Sequence, residues 1–179
     1  MKKIAFLLIF CLLLAGCAPS GRGAETAPPA QQAAPTTDTQ EETTSAPAQM
    51  SVTLYLPNDN ADGFVTQTVT LPREAPQDTM EQLIQSTALA EDIMEQLVQA
   101  GALPEGVRVL SMEGSVLDLN SAFLSFLNSM GTSGEYVVMG SVVNTYLTAF
   151  GLDRITITVE GNVPETGHSV YDQPLRMYE

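Results

Sequence analysis

From Val52 the chain alternates: Val52, Leu54 and Leu56 are apolar, with Thr53 and Tyr55 between them. This period of two predicts a half-buried strand. Pro57-Asn58-Asp59-Asn60-Ala61-Asp62-Gly63 has the chemistry of a turn. Phe64 to Leu71 is rich in Val and Thr and predicts a second strand, with Val65, Val69 and Leu71 on one face. At Asp78-Thr79-Met80-Glu81 the period changes. Asp78 is placed to cap a helix and Glu81 to reach back to it. Met80, Leu83, Ile84 and Thr87 follow at helical spacing, and Ile93, Leu97 and Val98 continue the stripe after an expected break near Leu89 to Glu91. Gly101 ends it. Val107 to Met112 and Ser115 to Leu119 predict two strands joined at Glu113-Gly114. Asn120 or Ser121 caps a short helix through Phe123, Phe126 and Leu127, and Gly131 to Gly134 is expected to be a loop. Glu135 to Phe150 is the clearest helix, with Met139, Val142, Val143, Tyr146, Leu147 and Phe150 on one face. Arg154 to Glu160 predicts a strand, Gly161-Asn162 a turn, and Leu175 to Tyr178 a short closing strand. Strand runs joined by short turns, with two apolar helix faces, predict an α+β two-layer sandwich: a mostly antiparallel or mixed sheet with helices packed on one face.

The start of the chain follows a different rule. Lys2 and Lys3 precede an apolar run from Ile4 to Ala15, which has signal-peptide length and is too short to span a bilayer. It ends in Leu14-Ala15-Gly16-Cys17, the pattern of a bacterial lipobox. Residues 1–16 are therefore expected to be a lipoprotein signal peptide, and Cys17 the residue that is acylated after cleavage. An ordinary secretory signal with an incidental cysteine is the alternative. Cys11 leaves with the signal, so the mature chain keeps one cysteine, which excludes an internal disulfide and a Cys-based metal site. Ala18 to Gln49 contains no aromatic residue and no Val, Ile, Leu or Met. Such a segment cannot bury enough apolar surface to offset its ordering entropy, so residues 17–49 are expected to be the lipid anchor and a disordered Ala/Pro/Thr-rich spacer. Residues 50–179 then form one domain, too short for the two lobes of a typical solute-binding lipoprotein.

Charge narrows the partners. The formal net charge is −14. Without Lys2 and Lys3 the five remaining basic residues, all Arg, face 21 acidic ones, a net charge near −16. Nucleic-acid binding needs clustered Lys and Arg, so a nucleic-acid partner is excluded. Anionic headgroups repel the domain as well, and the membrane contact expected is the lipid on Cys17.

Candidate chemistry is sparse. His168, the one histidine, lies in Thr166-Gly167-His168-Ser169. Composition leaves a Ser-His-Asp arrangement open, but there is no Gly-x-Ser-x-Gly elbow. No glycine-rich phosphate loop occurs, and neither Lys survives maturation, which excludes Walker-type nucleotide binding. Asn58 to Gly63 is dense in oxygens, but it lacks the terminal bidentate Glu of an EF-hand, so a polar hairpin loop is the better reading. Asp118 is an acid at an apolar strand end. It reads as a catalytic carboxylate or, more simply, as a cap for the next helix or a solvent-facing side chain. Asn144 and Thr145 are poor helix formers in mid-helix, expected to bond backbone across a helix–sheet junction. No catalytic, cofactor-binding or metal-binding residue is nominated.

Three stretches carry a family resemblance: Leu103-Pro104-Glu105-Gly106-Val107-Arg108-Val109-Leu110-Ser111, Leu117-Asp118-Leu119-Asn120-Ser121-Ala122-Phe123, and Ser141 to Phe150 with Ile155 to Gly161. In this order they resemble the GerMN domain, named for a sporulation and germination lipoprotein of spore-forming bacteria. One copy fits residues 50–179. Asn120 stands where Ser is usual, Tyr146 intervenes between Thr145 and Leu147, and Glu160 precedes Gly161 where Asp is common. The resemblance implies a non-enzymatic module related to the ring-building domains of secretion machines, acting in envelope assembly. The expected function is therefore a lipid-anchored, extracytoplasmic interaction or assembly module, possible homo-oligomer included, with a protein partner in the envelope. A cell-wall hydrolase using Asp118 or His168, and a ligand-binding lipoprotein serving a transporter, are the alternatives. Convergent acids in a pocket would favour the hydrolase and a deep apolar cleft the transporter protein. A flat surface or exposed sheet edge would favour the interaction module.

Overall fold

The structure is a computed structural model that describes residues 48–73 and 78–179. Cys17, the signal segment and the spacer up to residue 47 lie outside the described residues.

The described residues begin with a hairpin of β1 (Ala48–Pro57) and β2 (Phe64–Arg73), antiparallel over ten residue pairs from Ala48↔Arg73 to Pro57↔Phe64. Val52 and Leu54 of β1 and Leu71 of β2 are buried. β2 is otherwise largely exposed, and Val65, on the same face as Leu71, is 52% exposed. Helix α1 (Thr79–Gln99) starts at Asp78, whose carboxylate accepts the Glu81 N–H at 2.8 Å. It runs without the expected break near Leu89 to Glu91. Ala88 and Ala90 are strong helix formers, and backbone bonding does not require an unbroken apolar stripe. It stops in a Schellman motif: Gly101 (φ +79°) donates to Val98 O and Ala102 to Leu97 O. Only its second half is core, through Ala90, Ile93, Met94 and Leu97. Met80, Leu83 and Ile84, expected as part of the buried stripe, are exposed.

The second sheet has the order β3 (Val109–Glu113), β4 (Val116–Leu119), β5 (Thr156–Val159). β3 and β4 are antiparallel around Gly114, and β4 and β5 are parallel. A register shift between Val109 and Ser111 turns Leu110 out to 48% exposure. Helices α2 (Ser121–Leu127) and α3 (Thr132–Phe150) connect β4 to β5. α3 begins at Thr132, so the expected loop at 131–134 is mostly helix; Glu135 N–H already bonds Gly131 O at 3.0 Å. Buried residues run continuously from Val137 to Leu147, so this helix lies within the core instead of across it. Tyr146 ties it to α1 by donating to Ala90 O at 2.6 Å.

The architecture is α+β, with a mixed set of strands. They divide into two sheets, and the outer edge of β1 meets a helix: the Tyr55 N–H donates to Thr145 Oγ1 of α3 at 2.9 Å. One apolar cluster spans both sheets and the three helices. The expected closing strand does not form. Residues 160–179 are a tail that turns back on Val159 at Asn162 and meets the chain just before β5 through the bridge Ile155↔Leu175.

Candidate functional site

Asp118 is the acid that sequence pattern singled out, and its surroundings explain it. It sits on β4 beside Thr158 of the parallel strand β5. Its Oδ1 accepts the Thr158 hydroxyl at 2.6 Å and the Gly161 N–H at 2.8 Å. Glu160 and Gly161 both have positive φ, and Val159 and Asn162 exchange backbone bonds around them, as in a tight two-residue hairpin turn. The carboxylate therefore clamps the turn after β5. It neither caps α2 nor faces solvent freely. The N–H of Ser121 is capped instead by Glu160 Oε1 at 3.2 Å. Asn120 also leaves the helix uncapped: its side chain accepts the Arg108 N–H and donates to Gly106 O, holding the loop before β3.

His168 lies exposed at the tip of a tail hairpin closed by the bridge Glu165↔Val170. Thr166 Oγ1 accepts the N–H groups of His168 and Ser169, which fixes the turn. The same hydroxyl donates to Glu135 Oε1 at 2.7 Å. Glu135 was not anticipated. It stands in the first turn of α3, where free N–H groups favour negative charge, and it is 1% exposed. Its Oε1 also accepts the Tyr171 hydroxyl at 2.6 Å, while Oε2 is buried with no hydrogen-bond partner among the described residues. Burial, with the Glu135 bond and charge, pushes the Tyr171 phenol well above its ordinary value, so it stays a neutral donor.

Asn144 and Thr145 are buried and do bond backbone, as expected, but of two different segments. Thr145 takes the β1 edge. Asn144 treats the tail as a strand: Oδ1 accepts the Tyr178 N–H at 2.8 Å and Nδ2 donates to Tyr178 O at 3.0 Å. Tyr136 adds a bond to Glu179 O and a ring contact with Tyr178 at 4.9 Å. The tail is thus strapped along α3 at Glu135, Tyr136 and Asn144.

The loop from Asn58 to Gly63 is organised by Asn58. Asn58 Oδ1 accepts the N–H groups of Asn60 and Asp62, and its amide donates to Asp62 Oδ1 at 2.8 Å. Among the described residues no group of three His, Cys, Asp or Glu side chains converges with metal-holding geometry. No helix of the described residues is long and apolar enough to cross a membrane.

Two grooves mark the surface of the described residues. A groove of about 400 Å³ runs between the end of β2, α1 and the end of α3, floored by Pro72, Leu89, Ala149 and Phe150. Another of about 580 Å³ lies between α1 and the strand β3, with Glu91, Glu95 and Glu105 around Arg108. Neither contains Asp118, Glu135 or His168. The outer edge of β2 is also open among the described residues.

No curated protein matches the chain in sequence. Among solved structures, the tandem GerMN domains of the sporulation protein GerM from Bacillus subtilis are similar at 18% identity and TM-score 0.51, over 72% of this chain and 46% of that one. The chain thus spans about half the length of that tandem structure. The first GerMN domain of the same protein gives 18% identity over 72% and 96% of the two chains with TM-score 0.44. A candidate lipoprotein from Clostridium perfringens gives 14% over 73% and 87% with TM-score 0.43. The tandem-domain likeness shows a shared fold. The family model described by sporulation and spore germination, Germane, matches residues 53–165, well over half of the sequence. The match runs from β1 through the strands, helices and turn described above into the tail, and the chain belongs to the Germane family, whose fold is that of the GerMN domain.

Proposed function

We propose that this protein is a lipid-anchored, extracytoplasmic lipoprotein whose Germane domain is a non-enzymatic protein-interaction or assembly module of the bacterial envelope, serving sporulation or germination. One observation carries the reading: the polar side chains best placed for chemistry are used to hold the fold. Asp118 clamps the turn after β5, Asn144 holds the tail, and Glu135 is enclosed by Thr166 and Tyr171. The lipobox ending in Cys17 supports the anchor, and the single acylated cysteine supports a domain tethered outside the cytoplasmic membrane.

The test is complementation of a deletion strain with the full chain, protein levels and membrane fractionation being followed by blot. His168→Ala and Asp118→Asn are expected to complement. Asparagine keeps the Oδ1 acceptor for Thr158 and Gly161 and loses only charge assistance, about 1 kcal/mol. A lost general acid or base would instead cost about 100-fold or more in rate. Cys17→Ala is expected to lose fatty-acid labelling and membrane retention. An abundant, correctly localised and inactive Asp118→Asn or His168→Ala chain would overturn the interaction reading in favour of an enzyme.

A further inference from the structure

β2 has an edge that nothing among the described residues covers. β1 pairs with it along its whole length and no third strand joins. Which residues face outward follows from β1. Tyr55 turns its N–H away from β2, toward Thr145. Opposite residues in an antiparallel ladder exchange both bonds or neither. Thr66, opposite Tyr55, therefore turns its own N–H and C=O outward, and Thr68 and Thr70 do the same. Pro72 has the same parity, where a missing N–H costs no ladder bond. Free edges are usually blunted by charge, yet β2 carries none from Phe64 to Leu71.

We propose that β2 pairs antiparallel with β2 of a second copy of this chain, about a two-fold axis at Thr68, giving a continuous four-stranded sheet. This deepens the interaction-module reading and rests on it. Parity allows several registers, and the sequence along the edge selects one. With Thr68 opposite its counterpart, Thr66 faces Thr70 and the hydroxyls pair across the strands. Val65, 52% exposed, falls opposite Leu71 of the other copy. Arg73 falls opposite Gly63, beside Asp62, so the basic end of each strand meets the acidic hairpin loop of the other. Moving the axis to Gln67 or to Val69 loses the Val65–Leu71 match and leaves two Thr–Thr pairs instead of three, and at Val69 it also moves Arg73 away from Asp62. The contact is isologous and closes at two copies. Local complementarity at the strand ends opposes the repulsion between two chains of net charge −14, repulsion that salt screens at longer range.

The test is oxidative crosslinking in membranes of chains expressed from the full sequence, with the parent chain, whose own cysteines are Cys11 in the signal segment and Cys17 at the lipobox, as background. Thr68→Cys is expected to give a disulfide-linked dimer. Thr66→Cys alone is expected to give none, because its counterpart lies four residues away along the partner strand, whereas co-expressed Thr66→Cys and Thr70→Cys chains crosslink to each other. Adding Thr68→Pro to both, which removes an outward N–H and leaves the β1 ladder intact, is expected to abolish that crosslink while circular dichroism stays unchanged. Thr68→Cys crosslinking no more than the parent, or no more than Thr66→Cys, overturns the pairing. A Thr68→Cys adduct with a different protein overturns the second copy as occupant and leaves the interaction module standing, since that reading fails only on its own complementation test.

Discussion

Asn144→Ala removes the side chain that holds the end of the tail to α3. Two hydrogen bonds disappear, at 2.8 and 3.0 Å, both to the backbone of Tyr178. A typical hydrogen bond contributes about 0.5–1.5 kcal/mol net, and a buried group left unmatched costs about 1–3 kcal/mol. Tyr178 is partly buried, so its freed N–H and C=O regain water once the last residues lift, which caps the penalty. The expected loss is about 2–3 kcal/mol, a large share of the roughly 5–15 kcal/mol that holds a domain together. Asn144→Asp is expected to cost more, because it replaces the donor to Tyr178 O with a second acceptor at a site 1% exposed. Urea unfolding gives the magnitude and hydrogen exchange gives the place. Exchange at the Tyr178 amide should accelerate far more than exchange at Val52 or Leu54 in β1. A loss below about 0.5 kcal/mol, or exchange raised equally everywhere, would refute the strap. An Asn144→Ala chain of unchanged stability that failed to complement would point to a chemical role instead.

Three further outcomes are expected. Gly140→Ala should destabilise the domain although alanine is the better helix former by about 1 kcal/mol, because a Cβ there would collide with the Phe64 ring and approach Tyr178 Cβ at 3.1 Å; Gly134→Ala, which meets only the flexible Met130 side chain, should be neutral or stabilising in the same melting experiment. Ile84→Gln should change stability by less than about 0.5 kcal/mol, since Ile84 is 62% exposed, and a loss typical of a core residue would show that the first half of α1 is covered. Burial, with Tyr136 and Glu135 nearby, pushes the Tyr178 phenol up to about 12 from 10.0. The unfolded chain then releases this proton first, so stability is level below about pH 10, falls between about pH 10 and 12, and falls less in Tyr178→Phe; urea midpoints across that range, with phenolate absorbance, check it.

Periodicity located elements well and coverage poorly. The alternation at Val52, Leu54 and Leu56 and the stripe from Met139 to Phe150 gave real elements, because a face that packs must repeat with its backbone. The same logic placed Met80, Leu83 and Ile84 on one helix face, correctly, but a stripe does not say whether anything lies against it. In this fold the core reaches α1 only from Ala90 onward. Gly131-Thr132-Ser133-Gly134 read as a loop because its residues are weak helix formers, yet tertiary burial of the following turns draws the helix back to Thr132. The site residues were legible in proportion to how local their partners are. Asn58 bonds within its own loop, and its polar-hairpin reading matches the structure. Asp118 bonds a strand and turn some forty residues later, and those partners left no trace near it. Glu135 was missed because a glutamate at the start of a helix ordinarily faces water. Only Thr166 and Tyr171, far along the chain, enclose it.

α3 shows why these buried polar groups matter to the surface. A helix apolar on every side can satisfy the hydrophobic effect at many rotations and offsets, since burial is not directional. Polar groups remove that freedom, because any misplacement leaves a donor or acceptor buried without a partner. Glu135 fixes the first turn of α3 against the tail hairpin, Asn144 fixes its middle against the end of the tail, and Thr145, one residue on, fixes it against β1. Asn144 and Thr145 lie about 100° apart around the helix axis, so together they set rotation as well as offset. The Thr145 bond has a second effect. It closes the outer edge of β1 with a hydroxyl, and this decides which edge of the hairpin stays open. β2 then carries the free backbone groups at Thr66, Thr68 and Thr70, on a stretch without charge. The polar interior of α3 thus bears on which edge of the hairpin is left open among the described residues.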